Sequence, residues 1–330
     1  MSNNQQISMN RRRALEVLGV MSLSPAAMAA EPAFPSKSIR YILPFSAGSS
    51  TDILSRVVTQ QLSTQLNQPV IVENKPGAGG IIGSQQIIHA NPDGYTIGLV
   101  SLATVAMVPA TLKELPYDSV RDFAPLSALV SVDMALIAGP RAQGKTLPEF
   151  VEWAKKRTEP VFLGTLGAGT SGHFAGFLFG QAAKIKFEPV HFKTLSDLLQ
   201  ALVTGQIDVM TVVPSQVASF IKDGKLRGLA TNGPTRLATF PEIPTFKEVG
   251  YPDMQFMNWI GVAAPPKTPP EILNKLSSEF IKAAKVPAVR AKLEEAGFRV
   301  IANTREEFAA SIRKDVVVWR DMVKATGFTV

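Results

Sequence analysis

Two short stretches of small and hydroxyl-bearing residues have the composition needed to grip an anion. The first is Phe45-Ser46-Ala47-Gly48-Ser49-Ser50-Thr51-Asp52, between an apolar run that reads as a strand and an amphipathic stretch that reads as a helix. The second is Gly164-Thr165-Leu166-Gly167-Ala168-Gly169-Thr170-Ser171-Gly172-His173, in the same setting. The opening N–H groups of a helix have no partner inside it and lie at the positive end of its dipole. A loop of small residues leaves them open to a carboxylate, and Ser and Thr hydroxyls add donors. Plain N-capping by Ser50, Thr51 or Asp52 explains the first loop equally well. Asp52 would repel an anion if it faced one, so it is expected to cap or brace the loop. His173 either donates to a ligand or holds its own loop through backbone bonds.

A third contributor is Val190-His191-Phe192-Lys193-Thr194-Leu195-Ser196-Asp197, ending a strand and opening a helix. Phe192 can wall an apolar ligand body and Lys193 can offer a cation; a core phenylalanine and a snorkelled lysine account for the same residues. The strand end around Met210, Thr211 and Val212 is expected to complete the pocket floor, with Pro214 at the next helix start.

Other chemistries fit poorly. Gly77-Ala78-Gly79-Gly80-Ile81-Ile82 follows a strand and opens a helix, but Ile82 stands where a dinucleotide fingerprint needs its third glycine. Gly169-Thr170-Ser171-Gly172-His173 approaches a hydrolase elbow, with His173 where the last glycine belongs. The three histidines, at 89, 173 and 191, lack metal-ligand spacing. Cysteine is absent, which removes disulfides, thiolate metal sites and a thiol nucleophile. No catalytic residue, metal or cofactor is therefore expected.

The elements that must hold these loops alternate between strand and helix. Residues 39–44 read as a short buried strand and 69–73 as the next strand, and Ile53, Leu54, Val57, Val58, Leu62 and Leu66 fall at helical spacing between them. A helix at 81–89 and a strand at 96–100 follow. Such alternation predicts parallel strands with covering helices. Between 123 and 137 the pattern turns extended, as a crossing from one lobe to another would. A second run gives helices near 147–156, 172–183 and 197–204, and strands near 161–164, 189–192 and 207–213. Residues 226–231 read as a return crossing. A strand near 255–263 and three helices near 270–284, 287–296 and 305–326 close the chain. The fold class expected is α/β, with two lobes around a cleft. Ligands of open α/β sheets bind at strand C-terminal ends, which here face that cleft.

The chain has 330 residues, enough for two domains, with 45% hydrophobic and 18% charged residues, as a globular chain requires. Arg11, Arg12 and Arg13, an apolar stretch from 14 to 23, and Ala27-Met28-Ala29 have the layout of an export signal. The apolar stretch is shorter than the roughly 18 residues of a membrane span. Residues 1–29 are thus expected to be cleaved, giving a periplasmic product without a lipid anchor. Their loss removes three Arg and one Glu and lowers the formal charge from +7 to +5. The remaining cations are scattered, unlike a nucleic-acid footprint.

Taken together, these segments resemble the Bug family, the extracytoplasmic receptors of tripartite tricarboxylate transporters. The likeness rests on residues 44–52, on Val72-Glu73-Asn74-Lys75-Pro76-Gly77-Ala78-Gly79-Gly80, on Asn91-Pro92-Asp93-Gly94-Tyr95-Thr96, on Leu115-Pro116-Tyr117-Asp118, on residues 167–173 and on Gly224-Lys225-Leu226-Arg227. It covers nearly the whole mature chain. It implies a Venus-flytrap clamp of type II-like form, each lobe an open, mostly parallel sheet with covering helices. Residues 30–134 and 234–330 would form lobe 1, and residues 135–233 lobe 2. The ligand carboxylate would be held by the loops 45–52 and 167–173, often partly through water. The partners implied are a large and a small integral membrane subunit that use an ion gradient, with the receptor itself a monomer. The ligand expected is a di- or tricarboxylate, or an aromatic acid such as terephthalate. A receptor presenting its acid to a sensor kinase would have the same fold. Ser46, Ala47 and Ser49 replace the Pro and Gly of many relatives, and Phe192-Lys193-Thr194 replaces Tyr-Lys-Gly. The acid that many relatives carry after the strand ending at residues 211–213 is missing, which weighs against an amino-acid ligand.

Overall fold

The computed structural model describes residues 34–112, 114–167 and 170–326. The expected export signal, and Ala168 and Gly169 of the second loop, lie outside the described residues.

An apolar strand, β1 (Ile39–Leu43), leads into α1 (Ser50–Leu66), whose Leu54, Val58, Leu62 and Leu66 are buried while Ile53 faces outward. Helix α1 stops at Asn67, which takes the left-handed conformation at φ 50° and returns its N–H to the Ser63 carbonyl. Strand β2 (Val70–Asn74), a 3-10 turn (Ala78–Gly80) and α2 (Ile81–Ile88) follow, then the wholly buried β3 (Thr96–Ser101). A π-helical turn (Ala103–Met107) runs directly into the short α3 (Val108–Thr111). Strands β4 (Ala124–Val132) and β5 (Ala135–Ala138) come next, and then α4 (Leu147–Lys155), capped by Thr146.

The remaining alternation is β6 (Val161–Thr165), α5 (Ser171–Ala183), β7 (Phe187–His191), α6 (Leu195–Val203) and β8 (Val209–Val212). A 3-10 turn (Pro214–Val217) opens α7 (Ala218–Lys222), followed by β9 (Arg227–Thr231). The chain ends with β10 (Asn258–Ala264), α8 (Pro270–Lys285), α9 (Pro287–Glu295), β11 (Phe298–Val300) and α10 (Arg305–Thr326).

These strands form two sheets, ordered β11-β4-β10-β3-β1-β2 and β7-β6-β8-β5-β9. Both are mixed. In the first, β2, β1 and β3 are parallel, while β10 runs against β3 and β4, and β11 against β4. In the second, β7, β6 and β8 are parallel and β5 runs against both neighbours. The strand–helix–strand repeats supply the parallel trio of each sheet. Strands arriving from the other sheet enter from the opposite end, which makes them antiparallel.

The extended stretch 123–137 proves to be two strands in two sheets, broken at Asp133 and Met134. Residues 226–231 are not the return crossing: they form β9, paired to β5 at the edge of the second sheet. The return is the longer path from Asn232 to Met257. Asn232 joins the two passages. Its Oδ1 accepts the Met134 N–H at 2.7 Å, and its Nδ2 donates to the Phe256 carbonyl at 3.0 Å.

Cores form on both sheets, and one reaches across. Phe174 of α5, from the second sheet, is buried in the cluster that holds Ile42, Trp259 and Phe308 of the first. Its ring stands edge-on to Trp319 with centroids 5.0 Å apart. Burying such a ring contributes about 1.5–3 kcal/mol, so the packing between the sheets is an apolar seam.

Candidate functional site

The first loop is held from beneath by Asp52. This residue is 5% exposed. Its Oδ2 accepts the Gly48 N–H and Arg56 Nε, each at 3.0 Å, and its Oδ1 accepts Asn74 Nδ2 at 3.0 Å. The same Asn74 amide donates to the Phe45 carbonyl at 3.0 Å. Hydrogen bonding from Arg56 is the main reason the Asp52 carboxyl sits at about 2, with Asn74 and Gly48 adding to it against the cost of burial. Asp52 thus braces the loop, with its charge turned inward. Ser49 is the N-cap: its hydroxyl accepts the Asp52 N–H at 3.2 Å and donates to the Ser46 carbonyl at 2.7 Å. Ser46, Ala47, Gly48 and Ser50 are exposed, and Phe45 and Thr51 partly so. With the Asp52 N–H taken by Ser49, the N–H groups of Ser50 and Thr51 are left as the open donors of the first turn of α1.

The second loop is built on Thr165 and Thr170. Thr170 caps α5; its hydroxyl donates to the Gly167 carbonyl at 2.8 Å and accepts the His173 N–H at 3.4 Å. Gly167 has φ +132°, a conformation suited to glycine. The Thr165 hydroxyl lies 2.6 Å from His191 Nδ1. The His173 ring stacks on Phe174 and meets His191 edge-on at 5.1 Å. Burial, and next the charge of His191, hold the His173 imidazole down at about 4.

The two lobes meet at this helix start. Ser171 Oγ, in the first turn of α5, lies 3.6 Å from Met107 Sδ at the end of the π-helical turn. That turn reaches the first loop through close packing. A Cβ on Gly80 would stand 2.5 Å from Thr104 and 3.5 Å from Pro44, the residue before Phe45. The structure therefore links residues 44, 80, 104, 107 and 171 in one contiguous set.

The third segment adjoins the second loop, where the Phe192 N–H donates to the Thr165 carbonyl at 2.9 Å. Val212 is not on a pocket floor: it is buried against Leu198, Val217 and Leu226, because β8 turns it toward α6 and α7. Phe192 packs on that same cluster as a half-buried side chain, and Lys193 is exposed. A cavity of about 430 Å³, lined by Leu102, Asp133, Leu178, Phe256, Arg299 and Trp319 among others, lies at neither loop. The sequence reading missed Thr104 and Met107. Their apolar stretch carries no helical signal of its own, and the only cue was its place after a buried strand.

Residues 54–328 match the family described as "Tripartite tricarboxylate transporter family receptor". The chain belongs to this family. It is 30% identical to BugT of Bordetella pertussis over 97% of this chain and 99% of that one. A solved structure described as a periplasmic transporter is 36% identical, with a TM-score of 0.78, covering 90% of this chain and 99% of the other. MatC of Rhodopseudomonas palustris, solved with bound malate, is 29% identical with a TM-score of 0.74, covering 88% and 100%. The protein is thus a two-lobed solute-binding receptor of a tripartite transporter, one of a family of binding proteins rather than enzymes. No helix among the described residues is long and apolar enough to cross a membrane.

Proposed function

We propose that this receptor works in the periplasm, captures a small organic carboxylate between its lobes, and delivers it as a monomer to a large and a small membrane subunit. Residues 30–134 and 234–330 form one lobe in this reading, and 135–233 the other. The carboxylate is gripped by main-chain N–H groups and hydroxyls at the starts of α1 and α5. Ser46 to Thr51 serve on one side; Gly167 to Ser171 serve on the other, with His173 shaping that loop. Asp52 acts only as a brace.

The observation that carries the reading is the Ser171–Met107 contact, which brings the start of α5 onto the lobe that bears the first loop. The malate held by MatC supports the ligand class. A hydrolase is disfavoured by geometry. Ser171 and His173 are two residues apart and leave the helix on different faces, and His191 Nδ1 is engaged with Thr165.

A thermal-shift panel of malate, succinate, citrate, terephthalate and glutamate tests the proposal. An acid at about a hundred times its Kd should stabilise the protein by roughly 2.7 kcal/mol. Failure of every acid to shift the transition would sink it.

A further inference from the structure

Beneath the first turn of α5 lies a row of polar side chains, and one of them has no hydrogen-bond partner. Strand β8 turns Met210 and Val212 toward α6 and α7. Its alternation sends Val209 and Thr211 to the opposite face, where Val209 packs with Leu163 and with Phe179 of α5. Strand β6 pairs with β8 in parallel, Leu163 with Val209 and Gly164 with Met210. One residue further, Thr165 comes beside Thr211. Thr165 in turn pairs with His191 of β7. The row His191–Thr165–Thr211 therefore runs across three strand ends under the loop and helix start that face the other lobe.

Within this row His191 and Thr165 satisfy one another. Thr211 is 8% exposed, yet its Oγ1 is buried without a hydrogen-bond partner among the described residues. It sits directly under the helix start, since a Cβ on Gly172 would stand 2.8 Å from the Thr211 carbonyl and 3.5 Å from Met134 Cε. A buried hydroxyl left unpaired is destabilising, and such groups in native proteins call for a reason.

We propose that Thr211 is a specificity-determining residue, whose hydroxyl pairs with a hydroxyl next to the ligand's carboxylate, so that the receptor prefers 2-hydroxy acids. This rests on the carboxylate reading above and deepens it. The row offers hydroxyls and imidazole nitrogens, with no ammonium or guanidinium in it. A second carboxylate driven into it would be desolvated without a counter-charge. A neutral hydroxyl can both donate to and accept from Thr211.

The test uses matched acids that differ by one hydroxyl, malate against succinate and lactate against propionate, titrated into the mature protein. The wild type should favour the hydroxy member of at least one pair about tenfold or more, since a site built to bond a hydroxyl rejects the analogue lacking it. Thr211→Val keeps the β-branched shape and should reduce that preference to within about threefold, with an unchanged or higher Tm of the free protein. Thr211→Ser should restore the preference. Retention of the preference in Thr211→Val overturns the proposal, as does equal binding of both members by the wild type. A wild type that binds none of these four acids overturns this inference, while the receptor reading stands or falls with the wider acid panel above.

Discussion

Asn74 Nδ2 donates to Asp52 Oδ1 at 3.0 Å, tying the end of β2 to the first turn of α1. The first loop is consequently shaped by a buried carboxylate whose charge is used up inside the protein. A carboxyl held at about 2 in the fold and near its ordinary value, about 3.9, in the unfolded chain contributes stability above pH 4. That contribution fades as pH falls toward 2. Arg56 is half exposed and screened, so about 1 kcal/mol is expected. Urea unfolding of Asp52→Asn should show a correspondingly smaller loss between pH 4 and pH 2 than the wild type.

His173 gives a dependence in a different window. Its folded value, about 4, lies below the ordinary value of about 6.5, so the unfolded state takes up the proton first. Stability is complete above pH 6.5 and drops on the way to pH 4, by up to about 1.4 kcal/mol per unit. His173→Gln should flatten the Tm profile between pH 6.5 and 4.5. An unchanged slope would show that another group carries it.

Two glycines near the first loop should respond very differently to alanine. A Cβ on Gly83 would come within 2.8 Å of Pro44 Cα, a backbone atom that cannot step aside. Gly83→Ala should cost about 1–3 kcal/mol by overpacking and displace the start of the loop. At Gly48 nothing lies within 4 Å, and only the φ of +77° opposes a side chain. Gly48→Ala should cost about 1–2 kcal/mol through backbone strain alone. Chemical denaturation distinguishes the two, and amide exchange at Phe45 to Gly48 should change more in the first.

At the junction of the sheets, Asp133 is buried and bonded to Arg299 of β11 at 2.5 Å. Arg299→Met keeps the stem and removes the charge, leaving the carboxylate unpaired. A loss of about 2–3 kcal/mol is expected, below the value for a fully buried pair because Arg299 is 31% exposed. Adding Asp133→Asn should recover part of it; a double-mutant cycle measures the coupling.

Much of the scaffold was legible from periodicity. The spacing of Leu54, Val58, Leu62 and Leu66 located α1, and Pro270 and Pro287 marked the starts of α8 and α9. Strand β11 is three residues long, too short to show alternation, and its place beside β4 is decided by pairing across the sheet. The mixed direction of the sheets was hidden for a related reason, since direction depends on which strands cross over. At the site, the hydroxyl-rich loops and the bracing part of Asp52 could be read from residue types. The strand end that carries Thr211 was also read as part of the pocket floor, though nothing in the sequence set Thr211 apart from Met210 and Val212. Met107 could not be read, since a methionine in an apolar stretch looks like an ordinary core residue until tertiary packing shows what stands opposite it.

Asn232 holds the outgoing and returning passages together with one side chain, through the Met134 N–H and the Phe256 carbonyl. Any rearrangement that parts the two passages at this point must give up both bonds, each worth about 0.5–1.5 kcal/mol net, so the outgoing and returning segments are favoured to shift together.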